Sequence, residues 1–166
     1  MSAHIEKSDF TGLKVVYYSS DNVYPILPLL SEEFPHWTID KIKNYVQLVI
    51  KKKREVAGML VAQNESLYNV GLLIYTLQSV SSENLHKNSK EEFTFGLVVE
   101  NIICSSPIMK EQVFLTIVEA AMDIAKRNNC EFLELPKFDE TYKLIEKKYK
   151  NQIIKINSFR TAIDLV

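Results

Sequence analysis

The chain has 166 residues, of which 46% are hydrophobic and 25% are charged, and its formal net charge is −1. This size and balance are those of one soluble globular domain, and they exclude a disordered chain. With 20 basic against 21 acidic residues, the chain has no overall positive field, so we expect no nucleic-acid partner.

The cysteine content and the first residues predict a cytoplasmic protein. Cys104 and Cys130 are the two cysteines, and residues 1–10 contain no apolar stretch of the kind found in a signal peptide. The apolar runs are too short to cross a bilayer, so we expect no membrane partner. The 3 histidines are scattered, so we expect no metal and interpret both cysteines as buried thiols.

The first 50 residues predict one strand and two helices. Leu13–Tyr18 is a β-branched and aromatic run that turn-forming residues end. A short helix with prolines in its first turn follows and ends near Phe34. Thr38 is the candidate N-cap of a longer helix that reaches Ile50, because apolar residues recur there at spacings of three and four.

The segment from residue 51 to residue 92 predicts a helix end, a hairpin and a loop. Lys51–Arg54 could form a nucleic-acid or membrane patch, but cations also complement the dipole at a helix C-terminus, and we interpret the run that way. Glu55–Gln63 and Leu67–Gln78 predict two antiparallel strands joined by a polar turn. Ser79–Glu92 is almost all polar and predicts a surface loop or an extended hairpin connection.

The second half of the chain begins with a strand–helix–strand unit. Phe93–Cys104 is apolar enough to be a central strand, a helix ends near Asn128, and Cys130–Leu135 is a short strand. Such a unit implies a parallel pair of strands. One helix and two strands complete the chain: Asp139–Tyr149, Gln152–Ile156 and Thr161–Val166.

Together these elements predict an α/β (α+β) fold. We expect a single domain over residues 1–166, with a mixed central sheet of six to seven strands and four helices distributed over both faces. The last strand carries the apolar sequence TAIDLV. We expect it to be an exposed edge through which two copies pair as a homodimer.

Three segments of the second half resemble a known cofactor-binding core. They are Ile102–Pro107 at a strand end, Ile117-Val118-x-x-Ala121-x-x-x-Ala125 within a helix, and Phe132–Leu135 in the returning strand. With the order of elements, they resemble the acetyl-CoA-binding core of the Gcn5-related N-acetyltransferases, the GNAT superfamily. The resemblance implies a GNAT-like acyl-CoA N-acyltransferase fold, with acetyl-CoA or another acyl-CoA as co-substrate. It also implies direct attack by the amine of a small molecule or peptide.

The resemblance also implies a set of cofactor-binding residues. The family pattern is Gln or Arg, two residues, Gly, one residue, and Gly or Ala, which lets main-chain amides at a helix start hold a pyrophosphate. Here Met109 occupies the first position, and Gln112 and Phe114 occupy the two small-residue positions. The implied residues are Ile102, Cys104, Met109, Lys110, Gln112, Val113 and Phe114.

The same segment supports an alternative function. Gln112 and Phe114 bring bulk where the family has small residues, and residues 97–166 contain no glycine. Ser106 and Pro107 also suit the N-cap and first position of a helix that would absorb the loop. The alternative is therefore a catalytically inactive binding or interaction module that has lost CoA binding.

Glu100 is the candidate general base. Attack requires a neutral amine, so the incoming ammonium group must lose a proton, and a carboxylate can accept that proton. Strict alternation places Glu100 on one face of its strand with Val98, Ile102 and Cys104. Either burial among these apolar residues makes Glu100 a stronger base, or a lysine near the sheet edge pairs with it.

The remaining candidates are aromatic residues and one histidine. The resemblance implies a tyrosine general acid in the last helix, where this chain has Ile145, and leaves Tyr149, or Tyr142, as its replacement. His36 and Trp37 lie between the first two helices, where the resemblance implies the acceptor pocket. We interpret Trp37 either as a pocket wall or as a core anchor.

Overall fold

The computed structural model describes residues 4–5, 12–81, 93–105, 108–137, 141–156 and 159–166. The strands are β1 (His4–Ile5), β2 (Lys14–Tyr17), β3 (Ala57–Gln63), β4 (Asn69–Ser81), β5 (Phe93–Cys104), β6 (Phe132–Pro136), β7 (Ile153–Lys155) and β8 (Arg160–Asp164). The helices are α1 (Leu27–Glu33), α2 (Ile39–Ile50), α3 (Lys110–Arg127) and α4 (Thr141–Lys148).

These residues form one mixed sheet of eight strands in the order β1-β2-β3-β4-β5-β6-β8-β7. Only the β5–β6 pair is parallel within the described sheet. The predicted fold class is therefore confirmed. The sheet has one strand more than expected because the two-residue strand β1 adds to its edge.

The two N-terminal helices begin where the sequence predicts. Pro28 occupies the first turn of α1, a position at which proline removes no helical hydrogen bond. The amide of Lys41 donates to Thr38 Oγ1 over 3.2 Å, which confirms Thr38 as the N-cap of α2. The following strand is shorter than predicted, because Glu55 and Val56 lie in a turn and β3 begins at Ala57.

The hairpin of β4 and β5 is longer than its apolar sequence suggests. β4 continues beyond Gln78, and its last residue Ser81 pairs with Phe93. Of the two predictions for Ser79–Glu92, the extended hairpin is confirmed for residues 79–81. Residues 82–92 lie outside the described ranges.

The strand–helix–strand unit is confirmed. α3 begins at Lys110, three residues later than the start at Pro107 that the sequence suggests. Ser106 and Pro107 themselves lie outside the described residues. The predicted start of α4 at Asp139 also lies outside them, and the helix is described from Thr141.

Apolar residues cover both faces of the sheet. One core contains residues of α3 and α4 on one face, including Ile117, Ala121 and Ile145. The other core lies under α1 and α2, including Leu30, Ile42 and Val46. The sheet is therefore a layer between two helical layers, as the prediction of helices on both faces requires.

The prediction that TAIDLV forms an exposed edge is wrong. β8 pairs with β6 on one side and with β7 on the other, so its backbone groups already bond within the sheet. The edge strand on this side is β7, Ile153–Lys155. The edge argument for homodimer pairing through the last strand therefore does not apply.

Candidate active site

The strand β5 contains a bulge at Glu100. Val99 pairs with Tyr75 and Asn101 pairs with Ile74, so Glu100 is an extra residue with no partner of its own on β4. A bulge of this kind lets two consecutive side chains point to the same face of a sheet. The bulge therefore resets the alternation of side chains along β5.

The predicted face assignment of β5 is wrong for this reason. Val99 and Ile102 both belong to the core under α3, with Cys104 packed against it. Ile103 belongs to the core under α1 and α2. Glu100 consequently does not share a face with Ile102 and Cys104, and its side chain lies on the α1–α2 side.

The strands β5 and β6 separate just before this bulge. They pair at only three positions, from Gly96 with Phe132 to Val98 with Glu134. At the point of separation, Arg160 Nη2 donates to the carbonyl oxygen of Val99 over 2.6 Å, and Arg160 Nε pairs with Glu134. Arg160 thus connects both strands at the apex of a V-shaped opening.

A cavity of about 190 Å³ lies beside the separated end of β5. Its walls come from β5, from the last turn of α1 and from the first turns of α3 and α4. The lining residues are Glu32, Glu33, Ile102, Ile103, Cys104, Lys110, Phe114 and Thr141. Four of the seven predicted cofactor-binding residues, namely Ile102, Cys104, Lys110 and Phe114, therefore line one cavity.

The other three predicted cofactor-binding residues lie around the start of α3. Met109 is the N-cap residue and is half-buried, whereas Gln112 is exposed. Val113 is 0% exposed and packs into the core. A Cβ atom at Gly71 would lie 2.5 Å from Val113 Cγ1, so glycine at this position lets the first turn of α3 approach β4 closely.

Glu100 is exposed, so the expectation of burial among apolar residues is wrong. The alternative expectation is an ion pair between Glu100 and a lysine. The hydrogen-bond partner that the structure describes is instead Thr76, whose Oγ1 donates to Glu100 Oε1 over 3.0 Å. Gln78 Nε2 in turn donates to Thr76 Oγ1 over 2.9 Å. Because Gln78 can only donate through this nitrogen, the Thr76 proton is directed towards the carboxylate.

Tyr45 and Asn101 complete this polar cluster, and sequence reasoning missed both. Asn101 Nδ2 donates to Tyr45 Oη over 2.9 Å. Burial raises the pKa of the Tyr45 phenol, the hydrogen bond from Asn101 lowers it, and the negative charge of Glu100 raises it. In the sequence, Tyr45 is one of the regularly spaced apolar positions of α2. The side-chain direction of Asn101 depends on the bulge, which the sequence pattern does not indicate.

The tyrosines of the last helix are located elsewhere. Tyr149, just beyond α4, is half-buried and packs against the core under α3, with the ammonium of Lys148 5.8 Å from its ring centre. Tyr149 is not one of the residues that line the cavity. The hydroxyl of Tyr142 is buried and has no hydrogen-bond partner among the described atoms.

Trp37 is half-buried, and His36 is exposed. Phe34 stacks on the Trp37 ring at 4.2 Å between centroids, and Lys41 Nζ lies 4.4 Å from the ring centroid. Because a ring and an ammonium cannot occupy the same face, both faces of Trp37 are covered. Trp37 packs against the core under α1 and α2 as a partly buried residue, and its role as a pocket wall stays a prediction.

The described residues also bear on thiol chemistry, metal binding and membrane insertion. Burial raises the pKa of Cys130 to about 11, which keeps this thiol protonated near neutrality. Within the described residues, no three His, Cys, Asp or Glu side chains gather as a metal site. No helix in the described part of the chain has the length and apolarity of a membrane span.

Solved structures with a similar architecture include N-acetyltransferases, although no protein-family model and no curated protein matches the sequence. The aminoglycoside antibiotic 6'-N-acetyltransferase of Acinetobacter baumannii has a TM-score of 0.60 and 15% identity, covering 82% of this chain and 88% of that one. The NatC complex bound to Gag peptide and CoA contains a chain with a TM-score of 0.61 and 12% identity, covering 92% and 99%.

A third match is the putative acyl-CoA N-acyltransferase of Klebsiella pneumoniae, with a TM-score of 0.54 and 11% identity, covering 93% of this chain and 98% of that one. These identities are too low to transfer an activity, but the shared architecture spans most of each chain. The chain therefore has the fold of the Gcn5-related N-acetyltransferases, as the sequence resemblance predicted.

Proposed function

We propose that this protein is a GNAT-like N-acyltransferase that transfers an acyl group from acetyl-CoA or another acyl-CoA to an amine. The observation that carries the proposal is the cavity at the open end of the β5–β6 pair. It brings Ile102, Cys104, Lys110 and Phe114 together beside the start of α3.

The cavity fits the thin pantetheine arm of an acyl-CoA. Its volume of about 190 Å³ is below the range of sites that enclose a whole drug-sized ligand, so the nucleotide would remain outside. The phosphates would lie at the start of α3, where first-turn amides point along the helix axis and the dipole favours an anion. Lys110 adds an ammonium group at the same place.

The acyl-CoA supplies an activated acyl group as a thioester, and the protein supplies the base and the position of the amine. Glu100 would take a proton from the incoming ammonium group and leave a neutral amine that can attack. Thr76 Oγ1 donates to Glu100 Oε1 over 3.0 Å and so positions this carboxylate. The acceptor would be the amine of a small molecule or a peptide that approaches the exposed face of Glu100.

Isothermal titration calorimetry with acetyl-CoA and with CoA tests this proposal. We expect binding by the wild-type protein and at least about tenfold weaker binding by Lys110→Glu, because the change replaces a favourable charge by a repulsive one. Lys126→Glu is the matched control, since Lys126 is an exposed lysine in the last turn of the same helix. No heat at millimolar ligand would refute the proposal and leave an inactive binding or interaction module.

A further inference from the structure

A groove on the outer face of α4 is separate from the cavity beside β5. It has a volume of about 430 Å³ and shares no lining residue with that cavity. Thr141, in the first turn of α4, lines the cavity, whereas the groove lies along the rest of the helix and reaches the start of β7. The residues that line this groove, which we call the α4 groove, are Lys143, Glu146, Lys147, Lys150 and Ile153.

The α4 groove is positively charged. Lys143, Lys147 and Lys150 are exposed and recur at helical spacing, on the side of the helix away from the buried residue Ile145. None of these three lysines forms an ion pair with another described residue. Glu146 is the one acidic residue of the lining, so three ammonium groups against one carboxylate leave a net positive charge.

The next lysine of the helix has a different role. Lys148 pairs with Glu119 of α3, and its ammonium lies 5.8 Å from the ring centre of Tyr149. These contacts attach α4 to the helical layer, and the three groove lysines take no part in them. Replacing the groove lysines therefore removes charge from the surface without removing this attachment.

The strand β7 borders the α4 groove with an open edge. It is the last strand in the sheet order and, within the described sheet, pairs only with β8. The amide of Asp164 donates to the carbonyl oxygen of Gln152 over 2.7 Å, and because main-chain groups alternate in direction along a strand, those of Ile154 also face β8. The main-chain groups of Ile153 and Lys155 therefore point to the outer edge, where another strand can bond to them.

The charge and the open edge fit the same ligand, an extended peptide that adds to β7. Alternate side chains of such a peptide lie about 6.8 Å apart on one face, close to the rise of about 6 Å from Lys143 to Lys147 along the helix. Ile153 packs against the core under α3, on the side of the sheet that α4 covers. Side chains opposite Ile153 would therefore lie on the side of the lysines.

We propose that the α4 groove and the open edge of β7 bind an acidic peptide segment in an extended conformation. Carboxylates at alternate positions contact the groove lysines, and the main chain of the segment bonds to β7. A second copy of this chain does not fit, because symmetric pairing of two β7 edges would place the same lysines opposite each other. A nucleic acid would leave the main-chain groups of β7 unbonded. This assignment is independent of the proposed function and requires no acyl-CoA.

Fluorescence anisotropy with a labelled heptapeptide, in which glutamate alternates with threonine and both termini are blocked, tests the proposal. We expect the wild-type protein to bind this probe with a Kd below about 1 mM at low salt. The triple variant Lys143→Gln/Lys147→Gln/Lys150→Gln should bind it at least about tenfold more weakly, because three charge pairs are lost together.

The matched control is the triple variant Lys51→Gln/Lys52→Gln/Lys53→Gln, which removes the same charge from an exposed run beyond α2. It should bind the probe within about twofold of the wild-type protein, since only the net charge of the molecule changes. Equal weakening by the two triple variants would overturn the proposal, and so would the absence of binding by the wild-type protein at about 1 mM probe.

A second measurement uses the wild-type protein alone and tests the addition to β7. Two further heptapeptides carry N-methyl groups, one on every glutamate and the other on every threonine. Because alternate main-chain groups of a strand point to opposite edges, only one of the two methylated sets faces β7. We expect that peptide to bind at least about tenfold more weakly than the parent, and the other to bind within about twofold of it. Equal binding by the two methylated peptides would overturn the addition to β7.

Other anions separate a peptide site from a general attraction for negative charge. A five-nucleotide oligothymidylate has four phosphates, as the heptapeptide has four carboxylates, and vesicles of phosphatidylserine present a negative surface. We expect both to bind more weakly than the heptapeptide because neither offers a main chain to β7. Binding of either as tight as that of the heptapeptide would overturn the choice of a peptide in favour of a nucleic acid or a membrane.

Discussion

Replacing Gly71 by alanine tests how closely α3 approaches the sheet beside the cavity. The new Cβ would lie 2.5 Å from Val113 Cγ1 and 3.4 Å from both Ala62 Cβ and the carbonyl oxygen of Ile103. Val113 is 0% exposed and, as a β-branched residue in a helix, has one strongly preferred rotamer. Val113 therefore cannot relieve the clash by adopting another favourable rotamer.

The expected magnitudes follow from packing. Overpacking by one methyl group destabilises a core by about 1–3 kcal/mol, so we expect about 2 kcal/mol for Gly71→Ala. Val113→Ala removes two buried methyl groups and should also cost about 2 kcal/mol, including the cavity term. In the double variant the alanine methyl at position 71 occupies the vacated space. Its loss should then be about 2 kcal/mol instead of the additive value of about 4 kcal/mol.

Urea unfolding of the four proteins measures this coupling. The chain has 1 tryptophan, Trp37, and its stacking on Phe34 makes its fluorescence sensitive to unfolding. Circular dichroism at the same urea concentrations checks that helix and aromatic cluster unfold together. Losses that add to within about 0.5 kcal/mol would refute the contact between Gly71 and Val113 as the reason for the glycine.

Three further predictions concern other parts of the fold. Thr38→Ala should cost about 1 kcal/mol in urea unfolding because it removes the N-cap of α2, and Thr38→Ser should retain most of that stability. Arg160→Met should lower the free energy of unfolding by about 1–3 kcal/mol because it leaves the buried carbonyl oxygen of Val99 without the Arg160 donor. Arg127→Met, at an exposed arginine, is the control. Equal losses in the two variants would show that the bond from Arg160 to Val99 does not stabilise the fold. Cys130, with its pKa raised by burial from 9.0 to about 11, should react slowly with iodoacetamide at pH 8 and faster as the pH rises, as read by peptide mass spectrometry. Because the raised pKa favours the protonated folded form, its contribution to stability should be complete below pH 9.0 and lost as the pH rises through about 11. Labelling at pH 8 as fast as in the denatured chain would contradict this account.

The elements of the fold were predictable from local patterns. The apolar spacing of α2 and α3, the cap at Thr38 and the strand–helix–strand order are features of neighbouring residues in the chain. The extension of β4 to Ser81 was harder to predict because its last residues are polar, and their partner β5 is what keeps them in the sheet.

The site was less predictable because it depends on register. No residue in the sequence FGLVVENIIC signals the extra residue at Glu100, since a bulge is defined only by the pairing with β4. A shift of one residue moves every following side chain to the opposite face. Strict alternation therefore predicts Ile102 and Cys104 on the face of Glu100, whereas both lie on the α3 side. For the same reason Thr76, Asn101 and Tyr45 were not recognised as neighbours of Glu100.

The short parallel contact between β5 and β6 also bears on how the protein resists force. The sheet has two antiparallel sections, β1–β5 and β6–β8. They are joined by three residue pairs, by the Glu131 amide donating to the Phe95 carbonyl oxygen and by the bond from Arg160 to Val99. When the chain is pulled from its two ends, few backbone hydrogen bonds oppose separation at this junction. Extension in an optical trap should therefore break this junction before the longer β3–β4 and β4–β5 ladders, and a molecule seated across the two sections would raise the force required.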